Sequence, residues 1–325
     1  MSKPIREKLI QALASGKFVS GQDIADDLGV SRAAISKQVT ALSKMGLDIF
    51  KVRGKGYQLA QPLELLDREI IHQTLSALGQ SNQVEVHTVI DSTNDYLIRK
   101  LPSYIETGQA VVAEYQSAGR GRRGRQWQSP FGSHLYLSYY HKLEKGMAAA
   151  MGLSLLTAVV IAETIEQLFG VTAQLKWPND IYIEGKKIAG ILIDLEGQAI
   201  GDCHSVIGIG LNIQMPAQTA TTIDQPWTDL TQHVSTPIKR NKLIASLIAC
   251  LSLRLAQFEQ TGLKALLPFW HKHDLFLDQP IQLITGDKSQ LGVCRGVDEQ
   301  GALLFEKDGV VKTVYGGEVS LRPAT

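Results

Sequence analysis

Hydrophobic residues in the first 45 positions recur at helical spacing, in three short segments. This pattern predicts three helices, each with a single apolar face. Ser20 and Ser31 stand where side chains cap the second and third helices, and Gly29 lies between them, where it allows a tight turn. Alternating apolar residues over 49–57 then predict two short strands, joined by the basic turn Arg-Gly-Lys-Gly at residues 53–56.

The order of these elements is typical of a winged helix-turn-helix, a DNA-binding fold. The third helix turns polar and basic side chains outward, and the hairpin adds cations, so both can reach phosphates and base edges. Any one of these features alone would favour a helical hairpin with a solvated charged face, but their combination favours DNA binding. The expected DNA contacts are Ser31, Arg32, Ser36, Lys37, Thr40, Arg53 and Lys55.

Beyond residue 62 the pattern changes to strands that alternate with helical segments, which predicts a mixed α/β body. The long apolar stretch 148–170 predicts a core helix, and residues 275–325 alternate in short strands with Gly/Asp turns, which predicts a small β domain. Body strands are predicted over 84–88, 109–119, 135–140, 174–177 and 205–215, with a hairpin over 181–196 that turns at Glu184-Gly185.

One loop between two predicted strands, GRGRRGRQWQSP at residues 119–130, carries four arginines within seven residues. It contains Gly-x-Gly-x-x-Gly, but a dinucleotide-binding loop needs a helix directly after it, and here a strand follows. Arginines crowded on a glycine-rich backbone repel one another until an anion orders them, and Trp127 offers a face for an aromatic ring. A polyphosphate nucleotide fits both features. An RNA-binding Arg/Gly tract is the weaker alternative, because such tracts are usually long.

Further polar groups stand at strand ends in the body. The segment Asp-Ser-Thr-Asn-Asp at 91–95 joins a strand to a helix, where free backbone N–H groups can hold a small polar ligand; it is equally a plain helix cap. Lys176, Asn179, Asp180 and Lys187 flank the hairpin, where they could also be surface charges. Glycines 208 and 210 lie inside a strand, which often marks the close approach of a ligand or another backbone.

Composition and charge limit the class of protein. The chain has 325 residues, 44% of them apolar, which suits a globular protein of two or three domains. The first 60 residues carry ten lysines and arginines against five acids, a balance of +5; the net charge of +1 leaves −4 for the rest. Three widely spaced cysteines, no signal peptide and no membrane-spanning run predict a soluble cytoplasmic protein with no membrane partner.

The motifs DSTN, EYQSAGRGRRGRQW, KWPND, KKIAGIL and GIGLN occur in the order seen in biotin protein ligases, and the basic head makes the match closer. Over essentially its whole length the chain resembles the bifunctional bacterial type, which also represses the biotin-synthesis operon. The resemblance implies an α+β multidomain protein. Its expected domains are a winged helix-turn-helix (1–62), a mixed α/β biotin ligase catalytic domain (63–272) and an SH3-like C-terminal β-barrel (273–325).

The resemblance further implies a two-step, AMP-forming reaction. Biotin and ATP, with Mg²⁺, form biotinyl-5′-adenylate and pyrophosphate; the adenylate then biotinylates a lysine of the biotin carboxyl carrier protein of acetyl-CoA carboxylase. The other implied partners are the operator DNA of the biotin-synthesis genes and a second copy of the chain. The homodimer is expected to form on adenylate binding through an edge strand, for which residues 190–196 are the candidate. No motif identifies the magnesium ligands.

By the family's pattern, three groups of site residues are implied, and they overlap. The biotin-binding positions are Ser92, Thr93, Asn94, Gln116, Arg120, Gly121, Arg122 and Lys187. The ATP and adenylate contacts are Arg122, Arg125, Trp127, Asn179, Asn212 and Trp227. The catalytic residues are Lys187, Arg122 and Asp180.

Two other classes of function stay open at this stage. The body could sense biotin without catalysis, or the head could bind a protein instead of DNA. The arginine loop and Lys187 favour a ligase, because a sensor of biotin needs no cluster of cations to handle phosphate. The basic wing favours DNA as the ligand of the head.

Overall fold

The computed structural model describes residues 3–323, apart from residues 145–149, 151, 198–200, 222, 224, 287 and 317–318. The N-terminal head has the predicted order of elements. Its helices and strands are α1 (Lys3–Ala14), α2 (Gly21–Asp27), α3 (Arg32–Lys44), β1 (Ile49–Val52) and β2 (Gly56–Leu59).

Local signals account for the boundaries in the head. The Ser20 hydroxyl accepts hydrogen bonds from the first turn of α2, and the Ser31 hydroxyl accepts one from Ala34 N at 3.2 Å in the first turn of α3. Gly29 has a φ of 60°, which lets the chain turn between the two helices. Strands β1 and β2 pair antiparallel from Ile49 opposite Leu59. The prediction of a winged helix-turn-helix is therefore confirmed.

A mixed sheet forms the centre of the body. Among the described residues its strands run in the order β3-β4-β5-β9-β8-β7-β6; β3 and β4 are parallel and the other neighbours antiparallel. The strands are β3 (Val84–His87), β4 (Ala110–Ala113), β5 (His134–Leu143), β6 (Gln174–Lys176), β7 (Asp180–Ile183), β8 (Lys186–Gly197) and β9 (Cys203–Asn212). The helices are α4 (Arg68–Ala77), α5 (Thr93–Ile98), α6 (Leu153–Phe169), α7 (Ala217–Ala220), α8 (Arg240–Thr261) and α9 (Leu267–His273).

Successive residues of β4 show how the two faces of the sheet are covered. Ala110 and Val112 belong to the large apolar cluster that contains α6 and α8, whereas Val111 and Ala113 pack with α5 on the opposite face. The predicted core helix over 148–170 is α6, observed from Leu153 onward; positions 148, 149 and 151 lie outside the described residues. The α5 face carries the candidate site.

The C-terminal segment forms an antiparallel sheet in the order β13-β12-β11-β10-β14 within the described residues. Its inner residues continue the body's core, and Trp177 Nε1 donates to Gly301 O at 3.0 Å across the junction. The predicted small β domain is therefore present and the fold class is confirmed. The strands are β10 (Pro280–Thr285), β11 (Lys288–Val297), β12 (Leu303–Lys307), β13 (Val310–Val314) and β14 (Val319–Pro323).

The head docks onto the body through the segment that follows the arginine loop. Phe131 is 1% exposed and belongs to the head's apolar cluster, although it lies between the loop and β5. Its backbone N–H donates to Met45 O, just after α3, at 2.8 Å. Truncating the head would therefore expose an apolar surface of the body.

One described helix, α8, meets the length and composition of a membrane span. That match is weak, because core helices of globular proteins pass the same test. Ten residues of α8 are buried in the protein, among them Arg240, whose guanidinium pairs with the buried Glu114 at 2.8 Å. Here α8 is a packing element of the body.

Candidate active site and DNA-reading surface

Small residues on β8 and β9 form the floor of a cavity on the α5 face. Gly190 pairs with Gly210, and Leu192 with Gly208, across the two strands. A Cβ at Gly208 would lie 2.4 Å from Asn94 Oδ1, and a Cβ at Gly210 would lie 2.4 Å from the Trp127 ring. Glycine is therefore required at both positions, as the close-approach interpretation of the sequence predicts.

The start of α5 supplies the polar wall of this cavity. Ser92 caps the helix, with its hydroxyl accepting from Asp95 N at 3.3 Å, so the cap interpretation is confirmed. Gln116 Oε1 accepts from the Thr93 N–H at 2.9 Å. Thr93 and Asn94 both contact the buried hydroxyl of Ser138 on β5, at 2.7 and 2.5 Å. Ser138 was not predicted, because only the sheet register brings it beneath α5.

The arginine loop is a closed hairpin. Residues Arg122–Gly124 form a 3-10 turn at its tip. The Gly121 N–H donates to Arg125 O at 2.7 Å, which joins the two sides of the hairpin. Arg123 has a φ of 59°, an unfavourable region for a side chain that the tight turn imposes. A strand follows the loop, as expected, so it is not a dinucleotide-binding turn.

Trp127 lies across the glycine floor, within 3.0 Å of where a Cβ of Gly190 would stand. Its indole Nε1 is buried and has no hydrogen-bond partner among the described residues. A buried donor without a partner is costly, so it favours an acceptor on a bound ligand.

Acids compensate the charge of Arg120. Its guanidinium lies 2.6 Å from an Asp95 oxygen and 2.7 Å from an Asp194 oxygen. Burial lowers the pKa of Arg120, but the hydrogen bonds and charges of Asp194 and Asp95 outweigh burial, so the pKa is raised overall. The repulsion expected from the sequence alone is thus offset by two carboxylates from separate elements.

Lys187 and Arg122 both contact the start of β7. Lys187 Nζ lies 2.7 Å from Asp180 Oδ1 and 5.7 Å from the centroid of the Trp127 ring. Arg122 donates to Asn179 Oδ1 at 2.7 Å. Burial lowers the pKa of Arg122 below its usual value, with Asp180 opposing and Arg123 reinforcing that shift. An anion placed here would relieve the desolvation of the guanidinium.

Two adjoining cavities share Trp127 and Lys187. Residues of all three implied groups line them, which brings together side chains up to 135 positions apart in the chain (92 to 227). The first cavity is lined by all eight implied biotin positions: Ser92, Thr93, Asn94, Gln116, Arg120, Gly121, Arg122 and Lys187. The second, of about 330 Å³, is lined by implied adenylate contacts: Arg125, Trp127, Asn212 and Trp227.

The loop that carries Trp227 is tied to Lys187 by its backbone. Lys187 N donates to Pro226 O at 3.1 Å, and Thr228 N donates to Lys187 O at 2.9 Å. Asn212 Nδ2 donates to Thr228 O at 3.0 Å. Asn212 therefore shapes the second cavity through this loop, and the backbone of Trp227 is held beside that of Lys187.

Asp194 is a further polar residue of the site that the sequence did not single out. It lies in β8, in the same apolar run as Leu192. A signal was present, since an acid two positions from a floor residue faces the same side of a strand. Its partners, however, come from two other elements and depend on tertiary structure.

The predicted DNA contacts lie on α3 and on the turn of the wing. Arg32, Lys37 and Thr40 are exposed on α3, as are Arg53 and Lys55 on the wing. Ser31 is the exposed helix cap, and Ser36 is half-buried with its carbonyl accepting from Thr40. Cations and hydroxyls on one exposed helix suit contact with a phosphate backbone and base edges.

Comparisons with known proteins identify three matched segments and full-length relatives. Residues 86–212 match the Biotin/lipoate A/B protein ligase family, residues 5–58 match the HTH domain, and residues 276–322 match the Biotin protein ligase C terminal domain. The chain is 48% identical to the bifunctional ligase/repressor BirA of Salmonella typhimurium, covering 97% of both chains. It is 46% identical to the protein of that name from Escherichia coli, covering 98% of this chain and 97% of the other.

A solved structure matches the body and its fold. The biotin protein ligase from Aquifex aeolicus in complex with biotin and ATP has a TM-score of 0.64 and is 25% identical; the match covers 75% of this chain and 100% of that one. Full-length relatives, matched domains and a shared fold lead to one conclusion. The chain belongs to the family of bifunctional bacterial biotin ligase/repressors.

Proposed function

We propose that this protein is an ATP-dependent biotin–protein ligase that is also a DNA-binding repressor of biotin-synthesis genes. The observation that carries the ligase is the meeting of two chemistries in adjoining cavities. A wall of Ser, Thr, Asn and Gln groups suits the ureido ring of biotin, which has both donors and an acceptor. Arg122 borders the same cavity, and Lys187 and the free Trp127 N–H border both cavities; these groups suit phosphate and adenine.

In the first step, a biotin carboxylate oxygen attacks the α-phosphorus of ATP, and the bond to the β-phosphate oxygen breaks. The products are biotinyl-5′-adenylate and pyrophosphate. Two anions must approach each other, so cations and positioning are needed rather than a protein nucleophile. Arg122 and Lys187 supply the charge, and Arg125 lines the neighbouring cavity.

In the second step, the amine of an acceptor lysine attacks the carbonyl carbon of the mixed anhydride, and AMP leaves. Asp180 is a carboxylate next to the site, paired with Lys187 at 2.7 Å. It orients the incoming ammonium and accepts its proton. The acceptor is a biotin carboxyl carrier protein, such as that of acetyl-CoA carboxylase.

Magnesium fits this site only as a companion of ATP. The described residues contain no group of three or more His, Cys, Asp or Glu side chains that could hold a metal ion. Mg²⁺ commonly binds through one or two carboxylates together with substrate phosphates. When bound, it would neutralise the leaving pyrophosphate, with Asp180 as the carboxylate in reach.

The repressor function rests on the head. The exposed cations of α3 and the wing form its reading surface, and the corresponding segment matches the HTH domain family. The two principal relatives are themselves named ligase/repressors. The proposed ligand is the operator of the biotin-synthesis genes.

Homodimerisation on adenylate binding would let two heads read two half-sites. The free edge of β8 supports this part of the proposal. Strand β7 covers β8 only as far as Gly190, and Asn179 contacts Ile191, so in the described part of the chain residues 192–197 have no pairing partner on that side. An unpaired edge strand is a ready template for pairing with a second chain.

We further propose domains at 1–62, 63–272 and 273–325, and a location in the cytoplasm. Three reduced cysteines, Cys203, Cys250 and Cys294, suit a reducing compartment. An SH3-like barrel is the proposed form of the third domain.

The test of the ligase is incubation of the protein with biotin, ATP, magnesium and a carrier domain, followed by intact-mass measurement of the carrier. The expected result is the gain of one biotinyl group on one lysine. A carrier whose acceptor lysine is replaced by arginine is the control. An unmodified wild-type carrier would refute the ligase and favour a protein that only senses biotin.

A further inference from the structure

The unexplained carboxylate of the site is Asp194. It lies on the floor strand β8, two positions beyond Leu192, and its side chain is 24% exposed. One oxygen, Oδ2, accepts from Asn94 Nδ2 at 2.8 Å and from Arg120 Nη2 at 2.7 Å. The other accepts from Arg120 Nη1 at 3.3 Å. Asp194 thus contacts two residues that line the cavity without lining it itself.

The hydrogen bonds of Asn94 explain why the charge matters. Its Oδ1 accepts from Ser138, and its Nδ2 donates to Asp194 and to the carbonyl of Leu192. Every polar atom of this buried amide is therefore used by the protein. Asn94 also lies directly above Gly208, where no Cβ is tolerated. Asp194 therefore fixes the direction in which this amide stands in the cavity wall.

Arg120 is held in a similar way. Two carboxylates share its guanidinium, Asp95 from α5 and Asp194 from β8. Of these, only Asp194 also contacts Asn94. A bidentate carboxylate fixes the plane of a guanidinium, whereas a single contact fixes only its distance. Asp194 therefore orients two residues that line the cavity at once.

We propose that Asp194 is a positioning residue for biotin: it holds Arg120 and Asn94 in the arrangement that receives the ligand. The inference rests on the proposed function, since it assigns biotin to this cavity. It predicts an effect on biotin binding, with little effect on the chemical step, because Asp194 touches no reacting atom.

The test compares Asp194→Asn with two matched variants. Asp95→Asn removes the other carboxylate of Arg120 but leaves Asn94 oriented. Asp202→Asn removes an exposed carboxylate just before β9, paired with Lys142 at 2.7 Å, which lines neither cavity. Biotin binding is measured by calorimetry without ATP, and kcat is measured by pyrophosphate release at saturating substrates.

For Asp194→Asn the Kd for biotin should rise roughly tenfold to a hundredfold, the loss expected for a charge-assisted contact, while kcat changes by less than about threefold. Asp95→Asn should lose less affinity, and Asp202→Asn should match the wild type. Asp194→Glu, which restores the charge, should recover part of the affinity.

Three results would overturn the assignment. One is an unchanged Kd in Asp194→Asn. Another is an equal rise in the KM for ATP accompanied by a lower thermal midpoint, which would make Asp194 merely structural. A third is a loss in Asp95→Asn as large as that in Asp194→Asn. If the wild type itself bound no biotin, the proposed function would fail together with the inference; wild-type binding with an unaffected variant removes the inference alone.

Discussion

Replacing Lys187 by methionine removes an ammonium that borders both cavities while keeping an apolar side chain of similar length against Trp127. We expect the folded variant to lose most adenylate formation. The loss of one preorganised group that stabilises developing charge costs about 2.7–4 kcal/mol, or roughly 10²–10³ in rate. The side chain of Lys187 is only 14% exposed, so solvent screening reduces this effect little.

A second consequence follows from the pair with Asp180, 2.7 Å away. Removing one partner of a buried pair leaves an uncompensated charge and costs about 3–5 kcal/mol of stability. Because the Asp180 side chain is 19% exposed, the loss of stability in Lys187→Met should be smaller than that. The double variant Lys187→Met/Asp180→Asn should therefore regain stability without regaining activity. This separates a chemical role from a structural one.

The assay is biotin-dependent pyrophosphate release, with thermal unfolding measured in parallel. Lys186→Met is the matched control, because its side chain is exposed on the neighbouring position of β8. It should retain wild-type activity and stability. A Lys187→Met protein that unfolds normally and releases pyrophosphate within about threefold of the wild-type rate would refute the electrostatic role.

Three other variants test separate parts of the account. Gly208→Ala places a Cβ 2.4 Å from Asn94 Oδ1, so biotin binding by calorimetry should fall at least tenfold, whereas unchanged binding would mean that the wall is not needed. Arg122→Gly removes a contact worth roughly 1.5–3 kcal/mol, and adenylate should escape about tenfold to a hundredfold faster; albumin labelled no faster than by the wild type would argue against retention. Deletion of residues 1–60 should abolish operator binding in a gel shift but leave a folded body, with a lower thermal midpoint because Phe131 becomes exposed. A shift that persisted would mean that the head does not read DNA.

The head could be predicted almost completely because its signals are local. Serine caps at positions 20 and 31, a glycine turn and helical spacing all act within a few residues. The body was less predictable: α4, α8 and α9 lie in stretches to which the sequence pattern assigned no element. In α8, the buried Arg240 forms an ion pair with Glu114, which lies directly after β4, and only the tertiary fold brings these two residues together.

The site residues likewise divide into those that the local sequence predicts and those that depend on the tertiary fold. Motif residues such as Arg122 and Lys187 could be identified from residue type and resemblance. Ser138 and Asp194 could not, because their roles depend on the register that sets β5 and β8 beneath α5. Residue type alone does not show which strand faces a ligand; that follows from pairing partners far apart in sequence.

We propose that the protein transfers AMP from ATP to biotin, with release of pyrophosphate, in these two cavities before any acceptor is engaged. The most direct test is the exchange of labelled pyrophosphate into ATP, measured without a carrier protein. We predict exchange that requires biotin and is lost in Lys187→Met. Exchange that ran without biotin, or that appeared only when a carrier domain was added, would contradict the claim.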